Sequence, residues 1–423
     1  MTTQEGLKKA RELDKADELA SFREEFLIPR GAEGEEVIYF CGNSLGLQPK
    51  RTKEFLEREL QVWAEEGVEG HFGHDTAWYD YHELLQESLA AVVGAKPSEV
   101  VAMGSLTTNL HLLMVSFYKP TKERHKILIE GGAFPSDRYA VQSQAHFHGL
   151  SPAETIVELQ PRQGEETLRE EDILAKIEEL GDSLALVLLG GVNYYTGQFF
   201  DLESITTAGH KVGAKVGFDL AHAAGNVSLK LHDWGPDFAA WCTYKYLNSG
   251  PGGVAGIFVH HRHGQREDLP RFAGWWGNDP KTRFEMGPTF SPQEGAAGWQ
   301  LSNAPILSMA AHRASLSLFQ EAGMEKLRAK GLALSGFLRE EVEKIPGNHF
   351  EVITPREEKR RGCQVSILAP GIGEKLFAEL QAAGVVCDYR RPDVIRVAPV
   401  PLYNTFEEVW RFVEILRAVS GPQ

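Results

Sequence analysis

The chain has 423 residues, 42% of them hydrophobic and 24% charged, with a formal net charge of −15. That length exceeds what one hydrophobic core organises, so two domains are expected. The acidic balance excludes a protein that wraps a polyanion, because nucleic-acid binders carry a basic footprint; any bound anion must be held by a local site.

The opening stretch MTTQEGLKKARELDKADELASFREEF reads as a charged amphipathic helix without a signal-type apolar centre, and no apolar run approaches the length of a bilayer crossing. A cytoplasmic protein is expected. The cysteines, Cys41, Cys242, Cys363 and Cys387, stand in no CxxC or metal-ligand spacing. So few in so long a chain read as reduced, mostly buried thiols.

In MGSLTTNLHLLMVSF, Ser105, Thr107 and Thr108 place hydroxyls where an apolar helix begins. Backbone N–H groups and the helix dipole would then face an anion, although a plain Ser/Thr N-cap uses the same residues. From about Val100 to His260, β-rich runs alternate with helical spacing. HKILIEGGAF, SLALVLLGGV, AKVGFDLAH, DFAAWCTYKYL and GGVAGIFVH are expected as strands, and SDRYAVQSQAHF, REEDILAKIEELGD and LESITTAGHKVG as helices. This is an α/β pattern with a mainly parallel sheet, whose ligands belong at the carboxyl ends of the strands.

After Asn303 the text turns to long helices and then mixes strands (GCQVSIL, VIRVAPV) with helices (GEKLFAELQAAG, TFEEVWRFVEILRAV), a smaller α+β domain. The expected organisation is an N-terminal segment over 1–50 that packs on the small domain, a large domain over 51–310 and a small domain over 311–423.

Three strand ends of the large domain carry residues suited to chemistry. In EGGAFPSDRYA, Phe134 leads a Pro135-Ser136-Asp137 turn, and its ring either stacks on a flat ligand or closes the core. In VGFDLAHAAG, Asp219 closes an apolar strand and His222 follows. The next strand is expected to end in Lys245, inside TYKY, so an acid and a lysine share one edge of the sheet. A buried ion pair is one reading, though desolvation offsets most of its attraction. A pyridoxal phosphate site is the other: lysine forms a Schiff base and the carboxylate keeps the pyridine nitrogen protonated. Spacing alone leaves both open.

GNSLGLQPK, LTTNLHLLMVSF, AFPSDRYA, YYTGQ, GFDLAHAAGN, HDWGPDFAAWCTYKYLNSGPGG, GWWG, LSNAPIL and IRVAPVPLYN together resemble the kynureninase family, from about Tyr39 to Tyr403. The resemblance implies the fold type I arrangement of pyridoxal-phosphate-dependent transferases, with pyridoxal 5'-phosphate bound covalently to Lys245. It also implies hydrolysis of L-kynurenine or 3-hydroxy-L-kynurenine to the anthranilate and L-alanine. Asp219 would pair with the pyridine nitrogen, Phe134 would stack on the ring, and Leu106 and Thr107 would meet the phosphate. Pro135, Ser136, Asp137, His222 and Tyr244 complete the implied cofactor shell on this chain. Trp275 and Asn303 would close the site from a neighbouring subunit, which makes the protein a homodimer.

By the same resemblance Arg396 takes the substrate carboxylate, as its planar fork suits, while His71, Ser302 and Asn303 contact substrate. Lys245 would move the α-proton and Tyr244 would donate to Cβ. Gly190, Asn278 and Tyr389 depart from the family pattern, the first at a phosphate contact and the other two near the substrate ring. Likeness to the biosynthetic, animal-like branch implies the 3-hydroxy substrate and a role leading to NAD. A cysteine desulfurase or selenocysteine lyase on the same fold would need Cys363 as a nucleophile, but CQVSIL alternates as a strand, where a packed thiol is expected. A non-catalytic protein of this fold would have no use for the set Lys245, Asp219, Tyr244 and Arg396.

Overall fold

The computed structural model describes residues 3–420 except 74 and 348. Met1, Thr2 and residues 421–423, which belong to the expected N-terminal helix and C-terminal domain, and His74 of EGHFGH lie outside the described residues.

A seven-stranded sheet organises the larger part of the chain. Its strands are β1 (Val100–Ala102), β2 (Lys126–Glu130), β3 (Ile156–Leu159), β4 (Leu184–Gly190), β5 (Lys215–Asp219), β6 (Phe238–Trp241) and β7 (Gly256–Val259), in the spatial order β1-β7-β6-β5-β4-β2-β3. β2, β3, β4, β5 and β6 pair in parallel, and β7 runs antiparallel between β6 and β1. Side chains alternate between two cores. Leu186 and Leu188 join Ile127, Ile129, Phe238 and Ala240 on one face; Val187 and Leu189 join Leu128, Val216, Phe218 and Ala239 on the other. Both faces are apolar, so these strands read as unbroken hydrophobic runs. Helices Leu106–Phe117 and Pro135–Phe147 cover the first face, and Glu170–Leu180, Leu202–Lys211 and Ile306–Ala322 cover the second.

Two expected elements are shorter than the sequence suggests. The run DFAAWCTYKYL is strand only to Trp241. Beyond it the Thr243 hydroxyl donates to Val254 O at 2.5 Å and folds the chain back, so Lys245 stands one turn past the strand end. The N-terminal helix stops at Lys15, because Asp17 Oδ1 accepts the Leu19 N–H at 2.9 Å and starts a separate turn over Ala20–Glu25.

A second sheet, β8 (Glu351–Val352), β9 (Val365–Leu368), β10 (Asp388–Arg390) and β11 (Val394–Val397), is antiparallel in the order β8-β9-β11-β10. Its core takes Val365, Ile367, Ile395 and Val397 with Phe406, Val409, Phe412 and Leu416 of the C-terminal helix. The helix Met324–Glu343 reaches from the first core at Leu327 to the second at Leu334 and Phe337. The N-terminal helix packs here too: Ala10 joins the core, Arg11 pairs with Glu407 at 3.0 Å, and both Asp14 oxygens accept the N–H groups that open the C-terminal helix. Among the described residues no helix is long and apolar enough to cross a membrane.

Candidate functional site

The carboxyl ends of β2, β4, β5 and β6 open on a cavity of about 340 Å³, walled on its far side by β10 and β11 of the second sheet. Leu106 and Thr107 begin one helix at its rim and Ser136 and Asp137 begin another, so two helix N-termini face it. Ser105 does not cap the first of these helices; its hydroxyl lies 3.0 Å from that of Thr108, while Thr107 Oγ1 lies 2.7 Å from Ser136 Oγ. That leaves the plain N-cap reading without its hydrogen bond. Pro135, with no N–H to satisfy, occupies the first turn of the second helix.

Phe134 is 40% exposed and lines the cavity, which removes the alternative that it closes the core. Its ring meets Tyr194 edge-on at 5.3 Å, and Lys245 Nζ stands 5.9 Å from its centroid. Lys245 Nζ is also 2.9 Å from His222 Nε2. Burial, then the charge of Lys245, holds His222 well below the usual imidazole range, so it is neutral. The turn that carries Lys245 is seated on GNSLG: Gly46 donates to Tyr244 O at 2.8 Å, and a Cβ at Gly46 would lie 2.3 Å from Lys245 O.

Asp219, Asp137 and Glu130 gather beneath the lysine. Ala221 N–H donates to Asp219 Oδ1 at 2.7 Å, and Asp137 hydrogen-bonds Asp219. Burial, then the Asp219 charge, raises Asp137 well above the carboxylate range, so it is the protonated partner of this pair. Glu130 accepts from Gly190 N at 2.7 Å and from Asn193 Nδ2 at 3.2 Å; burial pushes its pKa up to about 7. A Cβ at Gly190 would lie 3.1 Å from the Glu130 carboxylate, so the glycine admits its close approach.

Arg396 is 1% exposed on β11, which excludes an exposed strand-edge arginine. Its guanidinium donates to Asp388 and to Tyr194 O, and its Nε has no partner among the described residues. Arg390 donates to the same Asp388 oxygen at 3.0 Å, and both guanidiniums lie 5.8 Å from the Tyr194 ring centroid. Burial pushes the Tyr244 phenol up, beside Cys242 and Asp219, so it stays protonated at neutral pH.

Leu106, Thr107, Phe134, Ser136, Asp137, Asp219, His222, Tyr244, Lys245 and Arg396 therefore share one cavity, whereas His71, Trp275, Ser302 and Asn303 are not brought to it within this chain. Ser302 and Asn303 are exposed and line a second cavity of about 280 Å³ on the other side of Thr108. Trp275 is 42% exposed, packed edge-on against Phe284, and His71 rests on Trp78 with Nδ1 3.0 Å from Val68 O. Asn278 holds its own loop through Ser291 N, and Tyr389 stacks on Phe377 at 5.7 Å and donates to Pro392 O. Sequence reasoning missed Asn43, Ser44, Glu130, Tyr194 and Arg390 in the cavity wall and Asp388 behind it. Glu130 ends KILIE as Asp219 ends KVGFD, so the strand-end criterion that found Asp219 would also have found Glu130.

The residues fit pyridoxal 5'-phosphate. Two N-termini without side-chain caps and facing hydroxyls suit a phosphate, an exposed ring suits stacking, and Asp137 Oδ1 and His222 Nδ1 are buried polar atoms with no partner among the described residues.

A model of the kynureninase C-terminal domain matches residues 327–416. A kynureninase from Myxococcus xanthus (strain DK1622) is 56% identical over 407 residues, 96% of each chain, and one from Nematostella vectensis is 49% identical over 96% of this chain and 92% of its own. The chain belongs to the kynureninase family. Among solved structures, a complex of the cystine C-S lyase C-DES with cysteine persulfide matches with a TM-score of 0.75 at 20% identity, covering 90% of this chain and 97% of its own. A cysteine desulfurase from Escherichia coli matches with a TM-score of 0.74 at 16% identity, covering 95% and 98%. At these identities the likeness is one of fold, the fold type I arrangement. The cysteine that a desulfurase would need is absent from this cavity: Cys363 is buried in the core, and burial pushes its thiol up to about 12.

Proposed function

We propose that the chain, a member of the kynureninase family, hydrolyses the Cβ–Cγ bond of L-kynurenine or 3-hydroxy-L-kynurenine to give the anthranilate and L-alanine. The observation that carries this reading is the convergence of Lys245, Asp219, Phe134 and Arg396 on one cavity. When bound, pyridoxal 5'-phosphate supplies a carbonyl for a Schiff base and an electron-poor ring that accepts the electron pair left at Cα.

Lys245 Nζ would be the attachment point for that Schiff base and, as a free amine, the base that moves the substrate proton at Cα. Burial raises the Asp219 carboxyl, while hydrogen bonds from Asp137 and from Ala221 N–H favour its charged form; facing the cavity, it would pair with the pyridine nitrogen and favour its protonated form. Leu106, Thr107 and Ser136 would hold the phosphate with backbone N–H and hydroxyl groups, and Phe134, neutral His222 and Asp137, which line the same cavity, would contact the ring. Arg396 binds the substrate α-carboxylate in the bidentate geometry a guanidinium favours, and Asp388 fixes its plane. Water adds at the γ-carbonyl, that carbon leaves as the carboxylate of the anthranilate, and Cβ takes a proton from Tyr244 Oη and departs as the methyl of alanine. A phenol whose pKa burial raises suits a donor better than a base.

We further propose a cytoplasmic homodimer in which Trp275, Asn303, Ser302 and His71 of one protomer close the cavity of the other. The exposure of Trp275, Ser302 and Asn303 supports this, with the exposed Phe72, Phe284 and Met286, and four free thiols suit a reducing compartment. Lys245→Ala is expected to lose both anthranilate fluorescence from L-kynurenine and the visible Schiff-base absorbance of the cofactor. Retention of that absorbance overturns the assignment. Wild-type rates on L-kynurenine and its 3-hydroxy derivative, measured side by side, decide the preferred substrate.

A further inference from the structure

The edge of the large sheet opposite the cavity carries a second chemical cluster. Glu99 precedes β1, His232 lies in the short helix Leu231–Trp234 ahead of β6, and His260 and His261 follow β7. One candidate ligand atom from each of the four lies within 4.8 Å of the others. Glu99 Oε1 is 3.0 Å from His232 Nδ1 and 3.2 Å from His261 Nδ1. Donor atoms sharing a tetrahedral zinc, with bonds near 2.0 Å, stand about 3.3 Å apart.

The carboxylate of Glu99 is 0% exposed, and among the described residues its ion-pair partners are His232 and His261, with no lysine or arginine. A fully buried carboxylate calls for compensating positive charge. Backbone N–H groups of Lys96 and His261 donate to its two oxygens at 2.8 and 2.9 Å and fix its plane, the outer support a metal-bound carboxylate needs. His260 stands beside the other two histidines, its ring 4.4 Å from that of His261 and 5.5 Å from that of His232, with Arg262 N–H donating to its Nδ1 at 3.3 Å.

We propose that Glu99, His232, His260 and His261 form a site for a divalent transition metal, zinc in preference to magnesium or calcium, since three imidazoles with one carboxylate suit a borderline cation. The ion joins the segments that enter or leave β1, β7 and β6, three neighbours at one end of the sheet. It is a structural clamp, set apart from the strand ends that build the catalytic cavity.

The test uses tag-free, cofactor-loaded protein stripped with a chelator, then titrated calorimetrically with zinc chloride at neutral pH. One zinc per chain is expected, with a rise in Tm on zinc addition and kynurenine turnover unchanged. His261 is the exposed member, so His261→Ala should fold and bind zinc more weakly by about 100-fold or more, while His261→Asp, which restores a ligand, should recover most of that loss. No stoichiometric zinc binding by the wild type, or full affinity in His261→Ala, overturns the site and leaves a hydrogen-bonded Glu-His network. Magnesium binding as tight as zinc overturns the class of metal.

Discussion

Glu130 is an acid placed where ionisation is penalised, and that has a measurable signature. Its ordinary pKa of 4.5 is raised to about 7 by burial. Between those values the unfolded chain has lost the proton that the folded chain keeps, so stability falls as pH rises through the window and is level above it. Glu130→Gln removes the titration. Denaturant melts of the cofactor-free variant should therefore gain on wild type by about 3 kcal/mol across that window; a difference that does not change with pH would refute the assignment. Residues such as Glu130 and Asp219 were equally legible, since each ends an apolar strand with a carboxylate. Tyr194 was not legible as a wall residue, because its ring gains meaning only from Arg390, Arg396 and Phe134 around it.

At the scale of elements, Asp237 ties together the start of β5, the end of the helix Leu202–Lys211 and the loop after β7. It accepts from Val216 N at 2.9 Å and meets His210 at 2.9 Å, His263 at 2.7 Å and Lys215 at 3.1 Å. Burial opposes its ionisation, yet the hydrogen bonds from His210 and His263 outweigh that and hold it far below its ordinary 3.8. A depressed carboxylate contributes stability above its unfolded pKa and loses it as pH falls below that value. Asp237→Asn strands several buried donors and should cost about 3–5 kcal/mol at neutral pH, with the deficit shrinking in acid below pH 3.8. Equal deficits at neutral and acid pH would contradict this. The early end of β6 belongs to the same scale: strand-favouring residues continue to Leu247, but the Thr243 hydroxyl, donating to Val254 O 11 residues on, turns the backbone first.

For the whole molecule, the proposed shared-site dimer makes a quantitative forecast. Lys245→Ala and Trp275→Ala should each be nearly inactive alone, whereas their co-expression should restore about a quarter of wild-type sites, since random pairing makes half the dimers hybrids with one intact site each. Activity no higher than the sum of the two variants would argue that each protomer completes its own cavity. The acidic cluster and the arginine pair sit on different sheets, so closure of this cavity depends on how the second sheet is held against the first. The helix Met324–Glu343, which enters both cores, performs that task.

By itself the amino-acid sequence determined the unbroken apolar strands, their helices, and which residues stand at or near the strand ends, because these follow from neighbours a few positions apart. Asp219, Phe134 and Thr107 were readable for that reason, and Lys245 as a residue just past a strand, whereas Leu106 entered only with the family resemblance. Only the tertiary structure decided that Arg396, paired across the sheet with Ser366 and Asp388, faces Tyr194 inside the cavity, that Tyr389 packs away from it, and that Glu99 meets three histidines from two distant segments. Those juxtapositions depend on strand order and long-range register, which no local pattern of residues encodes.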